Sequence, residues 1–196
     1  MKKTSRQQFI DLVNGLAATG DPEMVALKGK FDRGEIRLGE GNIFVAKSGS
    51  AKATVDMFET KDVKTEGLTN IDKSRLEKDQ FFMISSIQLL AVTHGAALTD
   101  DILKGTVVYA SIKDIPMLAN GNSTLKIKSK EVIKDLNNMA FVLDNNQTTR
   151  MGELVLDNPQ LIRPLDLIEF VIKTGVAITV NTAIKVVLHG TQTLPS

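Results

Sequence analysis

The residues able to do chemistry are few and scattered. Two histidines each stand before a glycine at the end of an apolar run, in Thr93-His94-Gly95 and Leu188-His189-Gly190. A cupin-type metal barrel needs two histidines one residue apart, with a glutamate and a third histidine downstream. Two isolated histidines do not supply that set, and both are expected as polar residues where strands meet turns. The chain has no cysteine, which excludes a disulfide framework, a thiol nucleophile and thiolate metal ligation. No Gly-x-Ser-x-Gly occurs, and Lys47-Ser48-Gly49-Ser50 reads as a turn between strands. Leu38-Gly39-Glu40-Gly41-Asn42 lacks the third glycine and the following helix that a phosphate cradle requires. Thr99-Asp100-Asp101 and Asp144-Asn145-Asn146-Gln147 carry oxygen ligands without the spacing of an EF-hand loop. Asp166 and Glu169, a pair of the kind glycoside hydrolysis uses, are not distinguished by sequence from ordinary surface acids. No catalytic, cofactor-binding or metal-binding residue is assigned, and the expectation is a protein without cofactors that is not an enzyme.

Composition narrows the field further. The 24 lysines and arginines nearly balance 23 acids, giving a net charge of +1. The two signs are interspersed, so no global field draws the chain to nucleic acid or an anionic membrane. Eight Phe, one Tyr and no Trp argue against a stacking platform for single strands or a sugar-binding shelf. Polar Thr4-Ser5-Arg6-Gln7-Gln8 follows Met1-Lys2-Lys3, so no signal peptide is expected. No apolar run is long enough for a spanning helix. The sequons Asn122-Ser123-Thr124 and Asn146-Gln147-Thr148 are expected to be fortuitous. A chain of 196 residues is long enough for one domain with a substantial core.

The elements that must position these residues change character along the chain. Thr4 or Ser5 caps an N-terminal helix whose Phe9, Leu12, Val13 and Leu16 form one apolar stripe, and Gly20-Asp21-Pro22 stops it. Ile36 and Leu38, a Gly39–Asn42 turn and Ile43-Phe44-Val45 predict a hairpin. Ala53 to Met57 alternates as a strand. The mixed-charge stretch 59–79 predicts solvated loops with a short surface helix from Asp72 to Asp79. Phe81 to Val92 reads as a buried strand, and Thr106 to Ile112 as another stopped by Pro116. Lys130 to Asn138 has helical spacing at Val132, Ile133 and Leu136. Glu153-Leu154-Val155-Leu156 is a strand ended by Asp157-Asn158-Pro159, followed by an extended link to Pro164. Leu167–Ile172 and Ala183–Leu188 are the last strands. Eight or nine strands with little βαβ alternation predict a mainly β fold, an antiparallel β-sandwich with an N-terminal amphipathic helix. The expected organisation is a helical arm over residues 1–30 and a β-sandwich domain over 31–196.

The C-terminal segments carry a resemblance. A proline-flanked link and strand, Asn158-Pro159-Gln160-Leu161-Ile162-Arg163-Pro164-Leu165-Asp166-Leu167-Ile168-Glu169-Phe170-Val171-Ile172, leads through a loop to Ala183-Ile184-Lys185-Val186-Val187-Leu188-His189-Gly190-Thr191-Gln192-Thr193. The layout resembles the last strands of jelly-roll capsid proteins of bacterial viruses, and an amphipathic arm ahead of a β-sandwich is similar to them too. At this length a single jelly roll is implied. The resemblance implies a virion structural protein made in the host cytoplasm, a self-assembling capsid or capsid-associated subunit. Its partners would be copies of itself and other virion proteins. The candidate subunit interface is Phe9, Leu12, Val13 and Leu16, and Lys2, Lys3 and Arg6 are candidates for a weak nucleic-acid contact. The alternative is a ligand-binding β-sandwich module of carbohydrate or adhesion type.

Overall fold

The computed structural model describes residues 5–142 and 150–196. A helical hairpin comes first, α1 (Ser5–Ala18) and α2 (Pro22–Asp32). Nine strands follow among the described residues: β1 (Ile36–Ser48), β2 (Thr54–Asp56), β3 (Phe82–Thr93), β4 (Ala110–Ser111), β5 (Asn122–Ile127), β6 (Lys130–Asn137), β7 (Glu153–Ile162), β8 (Ile168–Lys173) and β9 (Thr182–Pro195). Two short helices, α3 (Asp100–Gly105) and α4 (Pro116–Ala119), lie between β3 and β5.

The strands form two antiparallel sheets. One runs β1-β9-β3, with β4 and β7 both against the far edge of β3; the other runs β2-β8-β5-β6. Without the two-residue β4, the strands divide four and four. With β4 set aside, the chain changes sheet at every connection except the β5–β6 hairpin. That arrangement is a single jelly roll, two four-stranded sheets face to face. Ile84, Ile87 and Leu89 of β3 and Val186 of β9 meet Leu125, Phe170 and Ile172 of the opposite sheet, all buried. Burial of each such side chain is worth about 1.5–3 kcal/mol.

β9 organises its sheet. It pairs with β1 from Ile36 against Pro195 to Ser48 against Ala183, and with β3 from Phe82 against Gln192 to Thr93 against Thr182. The register slips at Ser85, a bulge that turns Ile87 and Leu89 inward beside Ile84. Gly190 stands at this slip. A Cβ there would lie 1.9 Å from the Met83 carbonyl oxygen, so only glycine lets the two backbones approach this closely.

A second, smaller core lies outside the sandwich. Phe9 and Val13 of α1 and Met24 and Leu27 of α2 pack on Phe81 and Met83 at the start of β3. Phe9 and Phe31 meet edge to face at 6.3 Å. On the uncovered part of the same sheet face, the Lys185 ammonium sits 4.9 Å from the Phe44 ring centre and 5.4 Å from that of Tyr109, a cation–π arrangement.

Several local expectations are corrected. Residues 36–48 are one continuous strand, not a hairpin. Gly39 and Gly41 are there because a Cβ would press on the Leu194 and Gln192 side chains of β9, each at 2.6 Å. Lys130–Asn137 is a strand, not a helix. Its helical-looking spacing comes from two bulges, where Thr124 opposes both Lys134 and Asp135 and where Val132 is an extra residue. These turn Val132, Ile133 and Leu136 alike toward the core. No helix forms over Asp72–Asp79: Lys73, Ser74 and Asp79 have positive φ, which a helix does not tolerate. Of Thr106–Ile112 only Ala110–Ser111 is strand, and Ile112–Asp114 is a 3₁₀ turn capped by the Ser111 hydroxyl. β7 does not end at Asp157 but runs to Ile162. Its pairing with β3 jumps from Val155 to Gln160, so Pro159 lies in an edge-strand bulge that needs no N–H donor.

Gly190→Ala is expected to cost at least about 3 kcal/mol of folding stability, because backbone must move to admit the methyl group. Gly39→Ala, whose methyl meets only the movable tip of Leu194, should cost under about 1 kcal/mol. Chemical denaturation of the two variants measures the difference.

Candidate functional site

The site is built on the turn between the helices. Asp21 accepts hydrogen bonds from the N–H groups of Glu23 (3.1 Å) and Met24 (3.2 Å), and Pro22 takes the first helical position of α2. This is strong N-terminal chemistry for a helix. The same carboxylate receives Arg163, from the turn between β7 and β8, at 3.3 and 2.5 Å through two guanidinium nitrogens. Glu23 takes a third contact from Arg163 at 2.8 Å. A forked guanidinium on a carboxylate is directional as well as strong, so it fixes where the hairpin sits on the sandwich. The Arg163 hydrogen bond and charge, with the two helix amides, hold the Asp21 carboxyl below the usual carboxylate range.

Between the docked helices and β1 lies an open groove of about 830 Å³. Ile10, Ala17, Val25, Phe31, Ile36 and Leu38 give it apolar walls. Arg6, Lys28, Asp32 and Arg37 stand around it. Lys28 is neutralised by Asp32 at 2.6 Å, whereas Arg6 and Arg37 have no ion-pair partner among the described residues. The size is that of a binding pocket, and Val25 is 51% exposed within it.

The candidate interface stripe divides. Phe9 and Val13 are buried against the chain's own second core, while Leu12 and Leu16 are half-buried beside it. Arg6 is exposed at the start of α1; Lys2 and Lys3 lie outside the described residues, as does the Asn146-Gln147-Thr148 sequon. Asp21-Pro22 reads as a stop in the sequence, yet it is the start of α2. Met24, Leu27 and Phe31 recur at helical spacing behind it, a signal that was available.

The histidines lie apart from each other. His94 is in the turn after β3, where its Nδ1 accepts the Ala96 N–H at 3.2 Å. His189 projects from the outer face of β9 to Gln88 at 3.1 Å. Nearby, Ser86 donates to Glu153, whose carboxylate also meets Arg150 at 3.5 Å. The serine hydroxyl is thus engaged by a carboxylate, while the imidazole meets Gln88. Burial, followed by the Arg150 charge, lowers the His189 pKa against a smaller opposing effect of Glu153. Asp166 accepts the Arg163 N–H at 3.0 Å, and Thr99 caps α3. Among the described residues no group of three or more His, Asp or Glu is placed to hold a metal ion, and no helix is long and apolar enough to cross a membrane.

Part of the charged stretch 59–79 is tied into ion pairs. Lys47 sits between Glu59 at 2.6 Å and Asp62 at 2.8 Å. Burial pushes the Glu59 pKa up, but Lys47 and Lys61 outweigh it and leave the group below its ordinary value.

No protein-family model matches the chain, and no curated protein matches it in sequence.

Two pH effects follow. Asp21 has a lowered pKa in the folded chain, so its contribution is present above the ordinary value of 3.8 and is lost as pH falls below it. Hydrogen exchange in α1 and α2 should accelerate in that range before exchange in β3 and β9 does. Arg163→Ala should produce the same helix-selective acceleration at neutral pH. His189 also has a lowered folded pKa, so stability should decline as pH falls from about 7 to about 5. His189→Gln should flatten that slope in denaturation measured across the range.

Proposed function

We propose that this protein is a virion structural subunit, a self-assembling capsid or capsid-associated protein that acts through contacts between copies. The observation that carries the reading is the jelly-roll strand order combined with a helical hairpin clamped outside one sheet. Jelly rolls serve viral capsids, lectins and cupins alike, so the fold alone does not choose among them. The choice rests on where the side chains go. A cupin holds its chemistry between the sheets, and here that space is filled by residues such as Ile84, Leu125 and Phe170. A lectin needs an exposed aromatic shelf, and all eight Phe and Tyr109 are buried or half-buried. What the surface offers is apolar ground suited to protein contacts: the groove at one end, and Val108, Val176 and Val180 in loops at the other.

Sedimentation velocity and particle imaging of the full chain test the reading. Large oligomers should grow with concentration at moderate ionic strength. Strictly monomeric behaviour up to millimolar protein, with no particles seen, would sink it.

A further inference from the structure

The two apolar surfaces of the subunit differ in the balance of charge: the groove lining has three cations, Arg6, Lys28 and Arg37, against Asp32, and the β3–β4 connection has Asp100 and Asp101 against Lys104. The groove end presents Arg6 and Arg37, which have no ion-pair partner among the described residues. The other end is reached by following β3. The helices pack at Met83, and the strand runs on to Thr93, a span of about 35 Å at the usual rise per residue. Beyond Thr93 the connection to β4 exposes Ala96 and Ala97, then Asp100 and Asp101 in the first turn of α3, then Val108. Val108 is 82% exposed, the highest among the exposed large apolar side chains of the described residues. Asp100 and Asp101 have no ion-pair partner among those residues. Among the described residues, an apolar trough with two guanidiniums outside any ion pair thus lies at one end, and the connection at the other end offers exposed Val108 with two carboxylates outside any ion pair, Asp100 lining a cleft that also holds Lys52 and Lys61.

We infer that the groove between α1, α2 and β1 receives the β3–β4 connection of a second copy of this chain. Val108 enters the apolar trough, and Asp100 and Asp101 face Arg6 and Arg37. The inference rests on the assembly reading and specifies its contact. Because the two surfaces differ, the contact is heterologous, head to tail, and propagates into rings or filaments instead of stopping at a dimer. The opposite charges set register and speed encounter, and the apolar anchors supply the burial.

The test is charge reversal in the full chain, read by sedimentation velocity at moderate salt. Arg6→Glu/Arg37→Glu and, separately, Asp100→Arg/Asp101→Arg should each weaken self-association by at least about tenfold, because like charges then face each other. Val108→Asp should do the same. All five residues are exposed in the subunit, so unchanged thermal melting of each variant is expected and verifies folding. Mixing the two charge-reversed variants one to one should restore assembly, since every contact in the mixture can then join opposite charges. Variants that assemble like the parent would overturn the proposed contact while leaving the assembly reading in place. Loss of assembly with the arginine pair but not with the aspartate pair would assign the groove to a different occupant and also overturn it. A parent protein that never associates would instead remove the assembly reading itself, and the inference with it.

Discussion

One carboxylate holds the outer layer of this molecule in place. Asp21 starts α2 by accepting its free amides and at the same time receives the forked guanidinium of Arg163. Arg163 is itself fixed, since its N–H is held by Asp166 in the turn that precedes β8. The contact therefore joins the helix–helix turn to the connection between the two sheets. Both groove walls are helices of this hairpin and the floor is β1, so the groove exists only while the hairpin is docked. Apolar packing of Phe9, Met24 and Leu27 on Phe81 and Met83 supplies adhesion, but such packing is non-directional. The ion pair supplies the orientation.

The sandwich beneath imposes a second constraint. β9 is flanked along nearly its whole length by β1 and β3, and its inward residues belong to the main core. The jelly-roll path then sorts the loops into two ends. The hairpin and the β7–β8 turn gather where β3 begins; the β3–β4 connection and the β8–β9 loop gather where it finishes. A molecule with distinct, complementary ends follows from the topology, without help from the net charge, which is close to zero. Part of the interspersed charge pairs locally, as Lys47 does with Glu59 and Asp62.

Much of the sandwich was legible in the sequence. β3, β8 and β9 are buried on the core side and largely covered on the other, and long apolar runs rich in β-branched residues report that directly. The errors have local causes. Gly39 and Gly41 look like a turn, yet they make room for side chains of β9, a partner roughly 150 residues away that no local pattern reveals. Bulges in β6 gather Val132, Ile133 and Leu136 on one face and so imitate a helix. Pro159 and Asp21-Pro22 both read as stops, whereas one sits in an edge bulge and the other begins a helix. For the site, the apolar stripe of α1 was visible but not what it would face: Phe9 and Val13 are covered by the chain itself. The Asp21–Arg163 pair joins residues 142 positions apart, and only the fold brings them together.

Head-to-tail contact between copies can be read by hydrogen–deuterium exchange of the full chain as protein concentration is raised. Protection should grow together in two separate places, the groove elements around residues 6–38 and the connection around residues 95–108, while β5, β6 and β8 stay unchanged. Exchange that is independent of concentration, or new protection confined to the β2-β8-β5-β6 sheet, would contradict it.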